Sequence, residues 1–368
     1  MINFDKASIA PIKPEVIAAI NEIYKGEYGN PSSLHRLGFN AKDRLEESRE
    51  IIASTINAKP EQIIFTSGST EAINWFTNYV QNYVLRTGFE HHALLNSLPE
   101  NWNTYYRIDK KRLRIITQDK DNGLIIYDRH LFAEYINSEI GIMNPIEELS
   151  KSRNSNYCLF VDAAQAYGHI PIDAQKDDMD FMCTSAQKFG GPSGVGFLYV
   201  KKPKEMFHLT KGGHQEFGHR AGTENLAGIY GMAVAAKIAH QNMRDKRRKV
   251  SEIRNHLYGR ITNEIPCAHL NGSADWRYRY EGNLNFRFDG YRGEEIQSFM
   301  NDFDIFVSTG SACASGSGEP SHVLKAIGLT DDEANSSIRF SFDSDNTLKE
   351  SNTVVEVLKK ALEVLKHE

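Results

Sequence analysis

The stretch Met179-Asp-Phe-Met-Cys-Thr-Ser-Ala-Gln-Lys-Phe-Gly-Gly-Pro-Ser-Gly-Val-Gly-Phe-Leu-Tyr-Val200 holds two short apolar runs, with a lysine and a glycine-rich turn between them. Apolar runs of this length, rich in aromatic and β-branched residues, read as strands buried on both faces. Lys188 then stands at a strand end among small residues, where a ligand approaches closely and the amine loses water, as a nucleophilic amine requires. A lone lysine is more often a surface charge, so its company in the sequence decides. Gln62-Ile-Ile-Phe-Thr66 and Tyr157-Cys-Leu-Phe-Val161 are runs of the same kind. They alternate with helical patterns, one placing Ala41, Leu45, Ile52 and Ile56 on a shared face and another running from Pro14 through Val16, Ile17 and Ile20. Such alternation specifies an α/β domain with a mainly parallel sheet.

The texture changes near Arg244, where a charged helix is followed by Asn283-Leu-Asn-Phe-Arg-Phe288, a helix from Glu294 to Phe303, and Ser337-Ile-Arg-Phe-Ser341. An amphipathic helix with Val354, Leu358, Ala361, Leu362 and Leu365 on one face closes the chain. The expected division is a large domain over 14–243 and a smaller α+β domain made of 1–13 and 244–368. With 368 residues, 40% hydrophobic and 25% charged, the chain is long enough for both cores.

Composition removes several function classes. The balance of 43 basic against 48 acidic residues gives a net charge of -5, so no global basic field points to nucleic acid. The local run Arg244-Asp-Lys-Arg-Arg-Lys249 reads as a solvated helix face. Cys158, Cys183, Cys267 and Cys313 are widely spaced and form no CxxC pair, which argues against a metal site or a disulfide framework and fits a reducing cytoplasm. No run approaches the ~18 apolar residues of a membrane span, and Met1-Ile-Asn-Phe-Asp5 lacks the basic and apolar regions of a secretory leader.

Three further segments join Lys188. Phe160-Val-Asp-Ala-Ala-Gln165 places Asp162 at the end of a buried strand, where a carboxylate either needs a positive partner or caps the next helix. Phe65-Thr-Ser-Gly-Ser-Thr-Glu-Ala72 runs from a strand through Gly68 into a helix, so the amides of Ser69 and Thr70 would converge on an anion, or simply cap the helix. No GxxxxGK[ST] or GxGxxG run competes for that reading. In Ser308-Thr-Gly-Ser-Ala-Cys-Ala-Ser-Gly-Ser-Gly-Glu-Pro320, small residues flank Cys313 on both sides and no apolar periodicity gives the thiol a core to pack against. A mobile loop carrying a nucleophile is the expectation. A lysine amine, a strand-end carboxylate and a phosphate cup on an α/β sheet together describe a pyridoxal phosphate site.

With these residues in place, the chain resembles the cysteine desulfurases of the class V aminotransferase superfamily, fold type I, in the group whose catalytic cysteine lies on a long loop. The resemblance runs through Gly29-Asn-Pro-Ser-Ser-Leu-His35, Phe65 to Glu71, Glu90-His-His-Ala93, Asn137-Ser-Glu-Ile-Gly141 and Val161 to Gln165. It continues in the Lys188 segment, Arg220-Ala-Gly-Thr-Glu-Asn225, Ser311-Ala-Cys313, Glu319 to Leu324 and Ser337 to Ser341. By that match Lys188 resembles the lysine that bonds to pyridoxal phosphate and later moves the Cα proton. Asp162 resembles the partner of the pyridine nitrogen, Gln165 that of the phenolic oxygen, and His91 the ring-stacking residue that assists proton transfer. Ser69, Thr70, Ser185 and Gln187 match the phosphate-side residues, and Thr223 matches one that reaches the phosphate of the other subunit. Arg339 matches the anchor of the substrate carboxylate, although an arginine in that strand equally makes a structural ion pair. The resemblance implies a homodimer that takes sulfur from L-cysteine, leaving L-alanine and a persulfide on Cys313 for a sulfur-acceptor protein.

Three departures stand out. Lys6 and Ser138 occupy positions where the family usually has asparagine, and Gln187 one where it has histidine; the stretch from Trp102 to Glu134 also matches poorly. Ser138 is too short to span cofactor and substrate as an asparagine would. Two other readings follow: a related lyase that uses no protein thiol, such as a selenocysteine lyase, and a sulfur-relay or cofactor-binding partner with little turnover of its own.

Overall fold

The computed structural model describes residues 1–26, 29–80, 83–99, 102–106, 108–109, 111, 113–119, 123–206, 208, 210–310 and 319–366. Its strands in chain order are β1 (Ile2–Asn3), β2 (Ile63–Thr66), β3 (Val84–Arg86), β4 (Asn103–Tyr105), β5 (Gln118–Asp119), β6 (Gly123–Leu124) and β7 (His130–Glu134). They continue with β8 (Leu159–Asp162), β9 (Phe181–Ser185), β10 (Gly196–Val200), β11 (Ala268–Leu270), β12 (Asn283–Phe288), β13 (Ile305–Phe306) and β14 (Ser337–Ser341).

Seven strands form the main sheet in the order β2-β10-β9-β8-β7-β3-β4. All neighbours are parallel except β10, which runs antiparallel to β2 and β9. The mainly parallel α/β architecture expected from the quoted stretch is therefore present, and its lysine follows β9 directly. Alternate strand residues serve opposite faces. Ile63, Phe65, Val161, Met182 and Phe197 join the core under the helices Pro14–Lys25, Arg36–Thr55 and Leu226–His240, whereas Ile64, Phe160, Phe181 and Leu198 pack with Trp75 and Phe76 of the helix Ser69–Val80. Ile17, assigned to the buried face of the first helix, is instead 46% exposed, because that helix turns only Val16, Ala19 and Ile23 fully inward.

A separate cluster gathers the three-stranded sheet β11-β12-β14, the helix Met243–Glu264 and the helix Leu348–Val364. Phe4 is buried in it, next to β1, which pairs with β13. Arg244, Arg248 and Lys249 are exposed on the helix Met243–Glu264, while Lys246 donates to the carbonyl of Ile238 and Arg247 to Glu281. No helix is long and apolar enough to cross a membrane among the described residues.

One buried ion pair fixes the edge of the main sheet. Arg49 donates to both oxygens of Glu216 and to the carbonyl of Ile63, each at 2.8 Å, and Glu216 also accepts the N–H of Phe65 at 2.8 Å. Glu216 and Phe217 hold positive φ angles of 48° and 57° in the turn that presents this carboxylate. Removing one partner strands the other charge in a dry interior, so Arg49→Ala is expected to cost about 3 to 5 kcal/mol in urea unfolding. A loss below about 1 kcal/mol would show that β2 does not depend on the pair.

Candidate active site

The parallel strands bring their carboxyl ends to one edge, where open α/β sheets place their ligands. Asp162 ends β8, Ser185 ends β9 just before Lys188, and Thr66 ends β2 opposite Gly196. The loop after β3 carries Thr87 to His91 to the same edge. Glu134, Asp162 and Cys183 lie in register across β7, β8 and β9.

Lys188 lies on the short helical turn after β9, and its amine donates to the carbonyls of Ala7 and Ser8, both at 2.9 Å. Gln165 donates to the same Ala7 carbonyl at 3.0 Å. Asp162 is buried and accepts the N–H of Ala164 at 2.9 Å, which closes a turn and not the helix weighed from the sequence, since no helix follows β8 before β9, and the Cys183 thiol donates to it at 3.7 Å. Burial pushes the Asp162 carboxyl above its ordinary range, opposed by the Ala164 N–H and by the charges of His91 and Lys188. A cation brought to its remaining side would relieve that penalty.

His91 caps the helix His92–Leu95, and its Nδ1 accepts the N–H of Ala93 at 3.0 Å. Burial, together with Lys188 and His92, lowers its pKa below 6.5 against the pull of Asp162, so the ring is neutral near pH 7. With Nδ1 accepting, the neutral ring carries its proton on Nε2 and presents a donor there.

The helix Ser69–Val80 begins beside Ser185. The Ser69 amide, expected to face an anion unpartnered, donates to the Ser185 hydroxyl at 2.7 Å, and that hydroxyl donates to Ser69 Oγ at 3.0 Å. The two serines thus form a closed pair at the helix start, with Thr70 exposed next to them. Gly68, at φ 151°, lies so close that a Cβ there would stand 3.0 Å from the Ser185 oxygen. The side-chain oxygen of Gln187 is buried without a partner among the described residues. Thr223 is exposed, in a segment tied to that helix by Arg220, which donates to Glu71 at 3.0 Å.

Arg339 sits on β14 under the same edge. It donates to Asp5 at 2.7 Å, to the Ser8 hydroxyl at 2.9 Å and to the Ser138 carbonyl at 3.2 Å, while its Nε is buried without a partner among the described residues. The ion pair weighed for this arginine is present, and one edge of the guanidinium is left over. Ser138 and Lys6, two of the three departures, line one small cavity of about 20 Å³ together with Gln165 and Ala7. Lys6 is itself buried and paired with Asp343 at 2.6 Å. Cys313 and the run 311–318 lie outside the described residues.

Sequence reasoning missed Asp5, Glu134, Glu139, His169 and Cys183. The His169 ring contacts the Lys188 carbonyl at 3.0 Å through Nε2 and the Tyr280 hydroxyl at 3.2 Å through Nδ1, bracing the lysine turn from behind. Strand-end position was the available signal for Glu134; for Cys183, in the middle of β9, and for Asp5, 334 residues before Arg339, there was none.

The donor set fits pyridoxal phosphate. An amine, a buried carboxyl short of a cation and a hydroxyl pair at a helix start lie at the sheet edge where a close-fitting glycine leaves room. Residues 2–354 match the family described as aminotransferase class-V. The chain is 36% identical over 374 residues to the cysteine desulfurase IscS of Clostridium botulinum, covering 98% of this chain and 94% of that protein. Among solved structures, a NifS-like protein superposes with a TM-score of 0.87 at 28% identity, over 99% of this chain and all of that one. SspA in complex with cysteine superposes at 0.75 with 26% identity, over 93% and 99% of the two chains.

Glu139 yields a prediction about stability. One oxygen accepts the Ser321 hydroxyl at 2.8 Å and the other is buried without a partner among the described residues. Burial raises its pKa from 4.5 to about 7, although Ser321 and the Arg339 charge pull the other way. A carboxyl raised on folding favours the native state at low pH, and that contribution is lost as pH climbs from about 4.5 to about 7. Glu139→Gln, which never ionises, should therefore gain up to about 3 kcal/mol on wild type between pH 4.5 and 7.5 in urea unfolding. A gap that does not change with pH would mean that folding does not raise the Glu139 carboxyl.

Proposed function

The chain belongs to the aminotransferase class-V family and to its cysteine desulfurases, and from that premise we propose which residues carry the reaction. The convergence of Lys188, Asp162 and the Ser69–Ser185 pair on one sheet edge supports the assignment. Lys188 would hold pyridoxal phosphate, with Asp162 at its ring nitrogen, Gln165 at its phenolic oxygen and His91 on its face. Ser69, Thr70, Ser185 and Gln187 would take the phosphate, joined by Thr223 of a second subunit, which suits the exposure of Thr223. The bound cofactor supplies an electron sink for the carbon that bears the substrate amine.

The protein's own groups then have distinct tasks. The unused edge of Arg339 receives the carboxylate of L-cysteine, and the Ser138 loop frames it, because Arg339 already spends its other donors on Asp5, Ser8 and the Ser138 carbonyl. Lys188 moves the Cα proton. Cys313 attacks the substrate sulfur as a thiolate, so that an S–S bond forms, the C–S pair stays with carbon, and a proton on that carbon completes L-alanine. A free thiol is only a few per cent ionised at pH 7. His91, a donor through Nε2, raises that fraction by hydrogen bonding to the thiolate rather than by taking its proton. The persulfide on Cys313 passes to a sulfur-acceptor protein. The division into 14–243 and 1–13 with 244–368, a homodimer and a cytoplasmic setting complete the reading.

Two variants test it. Cys313→Ser should keep the cofactor's visible absorption and its change on adding cysteine, yet form no persulfide detectable by alkylation and mass spectrometry. Wild-type sulfide release in that variant would favour a lyase that needs no thiol. Lys188→Ala should abolish borohydride labelling of the chain, and label on another lysine would sink the site assignment.

A further inference from the structure

Glu134 is a buried carboxyl for which the chemistry above has no use. It closes β7, in register with Asp162 of β8, at 5% exposure, after a run whose other members are Leu131, Phe132 and Ala133. An apolar residue would fill that position without the cost of burying a polar group.

Its contacts explain its presence. One oxygen accepts the backbone N–H of His91 at 2.8 Å, and the other accepts Nδ2 of Asn137 at 2.8 Å. Asn137 Nδ2 also donates to the Phe89 carbonyl at 3.0 Å, and Asn137 Oδ1 accepts the N–H groups of Glu139 and Ile140, each at 3.0 Å. The Glu134 carbonyl accepts Asn144 at 2.8 Å. One side chain therefore ties the loop that carries His91 to the loop that carries Ser138. The His91 ring cannot drift once its main chain is held, since its own Nδ1 is fixed on Ala93. Burial and the charges of Asp162 and Glu90 push the Glu134 carboxyl well above the ordinary range.

We propose that Glu134 is a positioning residue for the reaction, setting through the His91 N–H where the His91 ring stands at the cofactor face. The inference rests on reading His91 as the ring-facing group. Glu134→Met removes both acceptors, Glu134→Asp withdraws the carboxyl by one methylene while keeping an acid there, and Glu134→Gln keeps an oxygen for the His91 N–H.

The test is a double-mutant cycle with His91→Ala, read in three ways. In the cofactor-free chain, the His91 ring proton signal in NMR should move in E134M and E134D and return close to its wild-type position in E134Q. In the loaded enzyme, the circular dichroism of the cofactor's visible band should follow the same order. E134M should lower kcat for cysteine by about tenfold, the value of one hydrogen bond of ~1.4 kcal/mol, and by less than about twofold when His91 is already alanine. If E134M does not fold, E134D carries the cycle. Equal losses in both backgrounds, or an unmoved His91 signal, would overturn the inference. If H91A alone leaves the visible band and kcat unchanged, the reading of His91 itself fails, a different result from an additive cycle.

Discussion

The segment from Asn3 to Ala10 is the constraint on which the rest of the site depends. Its backbone exchanges hydrogen bonds with Ser341 and Phe306 on the side of the smaller sheet, and with Gln187 on the other. The carbonyls of Ala7 and Ser8 take the Lys188 amine, Ala7 also takes Gln165, and Asp5 and Ser8 take Arg339. Eight residues without helix or long strand thereby locate Lys188, Gln165 and Arg339 relative to one another. Its internal bonds are few, among them those from the Ser8 N–H to the Asp5 carbonyl and between the side chains of Ser8 and Asp5, so most of its order comes from these outside partners.

That edge of the sheet is also where buried acids accumulate. Glu90, Glu134, Glu139 and Asp162 all have carboxyls raised by burial. Each is retained by specific donors: Thr87 and Gly88 for Glu90, His91 and Asn137 for Glu134, Ser321 for Glu139, Ala164 for Asp162. Backbone amides and short side chains thus do for the site what a hydrophobic core does elsewhere, fixing one arrangement at some cost in stability. Asp162 alone among the four is flanked in register on both sides by polar groups, Glu134 and Cys183.

Much of this was legible in the sequence, and for definite reasons. The runs at 179–184 and 196–200 are strands because both faces are buried, which leaves an unbroken apolar signature; β12 and β14 fell where the aromatic alternation placed them. Lys188, Asp162 and the Ser69 turn stood out because each follows an apolar strand run, whereas Gln165 came from the family resemblance alone. Ile17 was misplaced because a periodic pattern does not say how wide the buried stripe is. The Ser69 amide was misjudged because its partner, Ser185, lies 116 residues away. Asp5 beside Arg339, Glu134 beside His91 and Lys6 sharing a cavity with Ser138 are all long-range meetings, which one-dimensional patterns do not encode.

The N-terminal segment has a further consequence for how the protein is made. Its partners Arg339, Ser341 and Asp343 lie near the far end of the chain, so the first ten residues leave the ribosome long before anything exists for them to bind. At synthesis rates of about 5 to 20 residues per second, that wait lasts on the order of 15 to 70 s. Throughout it the main sheet can close around its helices while the Lys188 amine still lacks the carbonyls that hold it. The nascent chain therefore acquires its scaffold before its reactive edge is assembled.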